Sequence, residues 1–174
     1  MAIRKIVTVP DPVLDKKTEE VKEINDEIKE IIRDLKDTLE NAEEPEGAGL
    51  SANQMGVSKS ICAVRNYLPE TDAFGENIFE EFILINPEIT KKSKETDIEY
   101  EGCLSIPDVY GKVERPARIK VTALTLSGDI IKLKAEGFFA RVIQHEIDHL
   151  NGILFTSKVT GKTLTEEEFD KQFE

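Results

Sequence analysis

Residues 138–150 constrain the fold more than any other stretch of the chain. On a helix at about 100° per residue, Phe138, Val142, His145 and His149 share one face, and Phe139, Ile143, Ile147 and Leu150 cover a second. Arg141, Gln144, Asp148 and Asn151 make a polar stripe. A helix apolar on most sides is buried inside its protein. The rest of the chain must therefore wrap it, and Asn151-Gly152 gives it a fitting C-terminal stop.

The same helix carries the only two histidines of the sequence, His145 and His149, with Glu146 next to the first. Residues four apart stand one above the other on a helix face. Two imidazoles so spaced can grip one metal ion, and the glutamate between them can serve as general base. Unpaired polar groups are costly to bury, and a metal would satisfy both rings. Two histidines with ordinary protein partners are the bland alternative. A catalytic zinc-type site has a third protein ligand and an open position for water. Cys62 and Cys103 are the thiol candidates. Cys62 lies in an apolar strand pattern that suits a buried, inert thiol. Cys103 follows Gly102, which lets backbone approach a site closely, so spacing modestly favours Cys103.

Strands and further helices are available as wrapping. Ile3 to Val9 reads as a short strand stopped by Pro10. Asn25 is a candidate N-cap for an amphipathic helix over 26–43, with Ile28, Ile31, Ile32, Leu35, Leu39 and Ala42 on one stripe. Between Asp15 and Glu46, acids outnumber bases 13 to 6, which reads as a solvated helix face. Pro45, Gly47 and Gly49 then open a loop. Ser60 to Val64 and Phe79 to Ile85 read as strands, the second closed by Asn86-Pro87. Ile119 to Thr125 and Ile131 to Ala135 alternate around Ser127-Gly128, a hairpin pattern. Thr165 to Glu168 has capping-box spacing, with Phe169 and Phe173 one turn apart, so a short tail helix is expected. The class is α+β, with antiparallel strands packed around the histidine helix and an N-terminal amphipathic helix.

Composition narrows the function classes. The 174-residue chain has a net charge of −12, which argues against a general DNA or other nucleic-acid binder. Two cysteines exclude a disulfide-rich secreted scaffold. The N-terminus lacks the apolar run of a signal peptide, and no stretch of about 18 apolar residues could span a membrane. A reducing cytoplasm is the expected compartment.

Three motifs, in order, resemble those of peptide deformylases: Gly47 to Gln54, Glu101 to Ser105, and Gln144 to Leu150. Phe82 to Pro87 and the stretch from Tyr110-Gly111 to Arg115-Pro116 are also similar to that family, and the likeness covers roughly residues 1–160. The resemblance implies a catalytic domain over 1–160 and an acidic tail over 161–174. It implies removal of the formyl group from N-formylmethionine of new polypeptides. It further implies that Cys103, His145 and His149 hold the metal, with a water in the fourth position, and that Glu146 is general base and then acid. Gln54, by its side-chain amide, and Leu104, by its backbone N–H, would stabilise the oxyanion. Ala48, Gly49 and Gly102 would line the groove where substrate pairs as an extra strand. The family metal is typically Fe²⁺, with Zn²⁺, Ni²⁺ or Co²⁺ accepted. Phe138 and Val142, on the metal face of the helix, are candidates for the methionine pocket. Glu101 has no clear role on this reading beyond orienting a buried group.

Ser51 stands where many members of the family have Ala, a tolerable change in a tight loop. Some members end in a basic helix that touches the ribosome, but residues 165–174 here hold five acids and one lysine, which a polyanion repels. From Lys112 to Lys134, six bases face two acids, so any transient ribosome contact is expected on that hairpin. Two rival readings share the histidine motif: a metallopeptidase and a non-catalytic metal-binding module.

Overall fold

The computed structural model describes residues 2–42 and 47–172. Among the described residues, seven strands form two antiparallel sheets. Strands β1 (Gly49–Ser51), β2 (Ile61–Thr71), β3 (Asn77–Lys92), β6 (Arg118–Leu124) and β7 (Ile130–Glu136) make one sheet in the order β1-β2-β3-β6-β7. Strands β4 (Thr96–Cys103) and β5 (Ile106–Pro116) make a separate two-stranded sheet. Helix α1 spans Asp26–Glu40, α2 Gly137–Leu150 and α3 Glu166–Asp170. No helix is long and apolar enough to cross a membrane among the described residues.

Strand β2 explains how the layers are glued. Its first residues form a continuous apolar run, as expected of a strand buried on both faces. Successive side chains point to opposite faces. Ile61 and Ala63 therefore join Ile85 and Leu50 against Ile28, Ile31, Ile32, Leu35 and Leu39 of α1. Cys62 and Val64 join Leu84, Ile119 and Val121 against Ala140, Val142, Ile143, Ile147 and Leu150 of α2. The large sheet lies between these two clusters, and α2 also touches β5 of the small sheet. Helix α1 is capped by Asn25, whose side chain accepts from the Ile28 amide at 3.0 Å. It ends at Glu40, with Asn41 as C-cap, so the helix does not extend over residues 41 and 42 as expected; residue 43, the acids at 44 and 46 and the Pro45 turn lie outside the described residues. Phe173 also lies outside them.

Two further expectations are corrected, and one element is new. Ile3 to Val9 is not a strand. Its amides go elsewhere: Arg4 N–H donates to Thr38 Oγ1 on α1, Val7 N–H to the Gln54 carbonyl, and Val9 N–H to the Ser105 carbonyl. The segment is thus an extended strap tying α1 to two loops, with no ladder neighbour. Strand β3 does not stop at Asn86-Pro87 but runs on to Lys92. The pairing shifts register between Ile85 and Glu88, so the proline sits at an irregularity where a ladder donor is dispensable. Finally, β4 and β5 form a hairpin that the hydrophobic pattern does not announce.

Candidate active site and metal centre

Each site residue is placed by a different element. Strand β1 is the edge of the large sheet and carries Gly49, with Ala48 just before it. A 3₁₀ turn at Ala52–Met55 presents Gln54. Cys103 ends β4 and is in register with Ile106, so Leu104 and Ser105 form the turn of that hairpin. Helix α2 supplies Phe138, Val142, His145, Glu146 and His149.

These elements converge on one cavity of about 200 Å³, lined by Ala48, Gly49, Gly102 and Cys103. Gln54, Leu104, Phe138, Val142, His145 and Glu146 also border it. His149 is buried behind the cavity. Val142 is buried, whereas Phe138 is largely exposed on the rim against Tyr67.

Cys103, His145 and His149 bring their ligating atoms within 4.8 Å of one another. Cys103 Sγ lies 3.1 Å from His149 Nε2, which lies 3.2 Å from His145 Nε2. Three donors of sulfur and imidazole type converging on one point match a divalent transition metal. The surroundings push the two rings apart. Burial depresses the His149 pKa well below its usual value, with the His145 charge adding to the effect. For His145 burial acts the same way, but hydrogen bonds with Cys103 and Glu101 outweigh it and hold the ring well above its usual value. Cys62, by contrast, is fully buried, and burial pushes its thiol up. It is not in the cluster.

Glu146 is buried, and burial pushes its carboxyl up to about 7 against the pull of His145. Its Oε2 has no hydrogen-bond partner among the described residues. Gln54 is held from both ends of its amide. Its Oε1 accepts from the Ser51 N–H and hydroxyl, each at 2.9 Å, and its Nε2 donates to Ser105 Oγ at 3.1 Å. The same Nε2 reaches Cys103 Sγ at 3.6 Å, which brings an N–H beside the metal ligands.

Glu101, left without a role by sequence, organises the far side of the centre. Its Oε2 lies 3.0 Å from His145 Nδ1. Arg115 donates to both carboxylate oxygens, at 2.5 and 2.8 Å, and Arg141 donates to Oε1 at 2.8 Å. Burial alone would raise the Glu101 pKa, but the Arg115 and His145 hydrogen bonds hold it well below the usual carboxylate range. Arg115 also pairs with Asp148, and Arg141 with Asp97. A carboxylate fixing the outer nitrogen of a metal-ligand histidine orients the ring and raises its basicity. Arg115, Arg141 and Asp148 were not singled out as functional. The polar stripe of Arg141, Gln144 and Asp148 on an otherwise apolar helix was the signal that could have found two of them.

The family model of polypeptide deformylase matches residues 3–164. The chain belongs to the polypeptide deformylase family. Peptide deformylase 2 of Clostridium acetobutylicum is 44% identical over 160 residues, covering 92% of this chain and 97% of that protein. The peptide deformylase of Natranaerobius thermophilus is 41% identical, covering 91% and 93%. Among solved structures, a peptide deformylase from Legionella pneumophila superposes with a TM-score of 0.79 at 35% identity, covering 91% of this chain and 87% of that one. A class I type b peptide deformylase from Acinetobacter baumannii bound to Met-Ala-Ser gives 0.79 at 31% identity, covering 91% and 99%. As a deformylase-family member the chain is a metal-dependent enzyme, and the cysteine and two histidines suit that requirement.

Proposed function

We propose that this enzyme hydrolyses the N-formyl group of formylmethionine at the start of newly made polypeptides, releasing formate. The observation that carries the reading is the convergence of Cys103, His145 and His149 beside Glu146 and Gln54 in one groove. Cys103, His145 and His149 would hold the ion, which when bound lowers the pKa of a water and polarises a carbonyl. A carboxyl raised to about 7 suits Glu146 to take a proton from the attacking water and pass it to the leaving amine near neutral pH. Gln54 Nε2, with Leu104 N–H, would donate to the formyl oxygen as its charge grows. Losing one such donor typically costs about 10²–10³ in rate.

Edge strand β1 brings Gly49, with Ala48 just before it, to the cavity that Gly102 also lines, which suits an extended peptide added as one more strand. Val142, with Phe138 at the rim, would receive the methionine side chain. The catalytic domain is assigned to residues 1–160 and the acidic tail to 161–174, in the cytoplasm. The proposed ion is Fe²⁺, as the family resemblance implies; the ligand set also admits Zn²⁺, Ni²⁺ and Co²⁺, and metal analysis after anaerobic purification separates them. Any ribosome contact is assigned to the β6–β7 hairpin, where Lys120, Lys132 and Lys134 are exposed. Charge reversal there should reduce co-sedimentation with ribosomes, and unchanged co-sedimentation would remove the assignment.

The deciding assay compares formyl-Met-Ala with unblocked peptides. Formate release from the first, abolished by Glu146→Ala with metal retained, is the expected result. Cleavage of an internal peptide bond without formate release would overturn the reading in favour of a peptidase.

A further inference from the structure

The cavity has a second wall that none of the catalytic roles uses. Tyr100 and Tyr110 border it next to Gly102. A β-carbon on Gly102 would lie 2.7 Å from Tyr110 Cε1, so the ring sits directly over that backbone. The C-terminal segment reaches this wall from outside. Leu164 pairs with Tyr110 through two backbone hydrogen bonds of 2.8 and 2.9 Å. The Glu166 N–H then donates to Asp108 Oδ1 at 2.7 Å, which turns the chain into α3. A capping box between Thr165 and Glu168 starts that short helix.

Helix α3 then lays its aromatic residue on the wall. Phe169 stacks on Tyr110 with centroids 4.4 Å apart and planes 10° from parallel, and meets Tyr100 edge-on at 5.2 Å. Tyr100 donates its hydroxyl hydrogen to Gln172 Oε1 at 2.7 Å. The two tyrosines are thereby fixed by the tail on one side and open to the cavity on the other.

An extended peptide projects successive side chains to opposite sides. If the methionine side chain enters the Val142 wall, the next residue faces away from it, and residues beyond run along the rim. On this reading substrate residues beyond methionine pass along the Tyr100–Tyr110 wall, and we propose that Phe169 of the C-terminal helix is the positioning residue of that wall. The inference rests on the deformylase reading, and it assigns the acidic tail to substrate recognition.

The test measures formate release from two substrates: formyl-methionine amide, which ends before the wall, and formyl-Met-Ala-Ser, which reaches it. Phe169→Ala should raise KM for the tripeptide roughly threefold to tenfold, the range expected for losing an aromatic stack. It should leave kcat and the KM of the amide unchanged. Phe169→Tyr keeps the stack and should restore the tripeptide KM. Gln172→Leu, at an exposed position, frees Tyr100 without disturbing folding and should shift the tripeptide KM in the same direction. An unchanged tripeptide KM in Phe169→Ala and Gln172→Leu, or an equal shift for both substrates, overturns the proposal. Failure of the unmodified enzyme to release formate from either substrate instead overturns the deformylase reading.

Discussion

A β-carbon on Gly49 would stand 2.8 Å from Oε1 of Glu146, and 3.0 Å from Cγ1 of Val142. The edge strand and the histidine helix therefore touch, backbone to side chain, at the proposed reaction site. No methyl group fits without moving the carboxylate or the strand. Displacing a reacting group by about 1 Å can cost about 10²-fold in rate. Gly49→Ala should lower kcat for formate release by about that factor. Metal content, measured by elemental analysis, should stay near that of the parent, because the substituted atom meets none of the three ligands.

Glu101 anchors two buried guanidiniums and one histidine. Glu101→Gln keeps its shape and removes its charge, leaving Arg115 and Arg141 to share a neutral amide. Breaking a buried ion pair by removing one partner typically costs about 3–5 kcal/mol. Loss of the group that orients a metal-ligand histidine typically weakens metal affinity about 10–100-fold. Urea unfolding should show the first effect and a chelator competition the second. A variant that loses stability yet binds metal as tightly as the parent would show that Glu101 does not support His145.

The uneven legibility of the fold has a physical cause. The runs at Ile61 to Val64 and 138–150 were readable because their apolar residues, Phe138 excepted, are mostly buried against apolar neighbours, so hydrophobic pattern and burial coincide. The β4–β5 hairpin was not readable because its buried positions include charges. Glu101 and Arg115 look like surface residues in sequence, yet each is buried because it finds its partner across the hairpin or on α2. The Ile3 to Val9 segment has strand-like residues, but only tertiary structure decides where its amides donate. The histidine pair was legible as a metal site through its spacing. Cys103 was favoured only modestly by spacing, and Gln54 was chosen only by family resemblance. A glutamine's role depends on Ser51 and Ser105, which hold its amide from opposite sides.

Acid should weaken the fold through Glu101. Its folded pKa lies well below the usual carboxylate range, which is about 4.3 in an unfolded chain. A depressed folded value means the contribution is fully present above the unfolded value. It is lost as pH falls below that value toward the folded one, because the unfolded chain then binds more protons. The urea midpoint should therefore drop between pH 5 and pH 3, both values chosen to bracket about 4.3. Glu101→Gln should show a shallower drop over the same window. Parallel pH profiles for the two proteins would exclude Glu101 as the source.

Lys91, Lys120 and Lys134 stand in register across β3, β6 and β7, Lys91 opposite Lys120 and Lys120 opposite Lys134. Like charges directly opposite one another destabilise a sheet. Lys on an edge strand discourages unwanted pairing, but Lys91 and Lys120 lie on interior strands. Lys120→Thr removes the middle charge and adds a β-branched residue, so it should stabilise the protein by about 0.2–1 kcal/mol. Thermal unfolding should show a higher midpoint, with formate release unchanged. A lower midpoint would mean that the lysine stem covers apolar surface that outweighs the repulsion.

The two cysteines should be chemically unequal. Thiol reagents attack the thiolate, and access matters as much as its population. Cys62 is fully buried within the α2 cluster, and burial, followed by the charge of Glu146, pushes its thiol up. Cys103 is half-buried and borders the cavity. After the metal is removed with a chelator, a disulfide reagent of the Ellman type should titrate one thiol in the native protein. The second should appear only on unfolding. Peptide mass analysis should place the first label on Cys103, and reloading with Zn²⁺ should protect it. Labelling of Cys62 in the native state, or no protection by added metal, would contradict the assignment of Cys103 as the thiolate ligand.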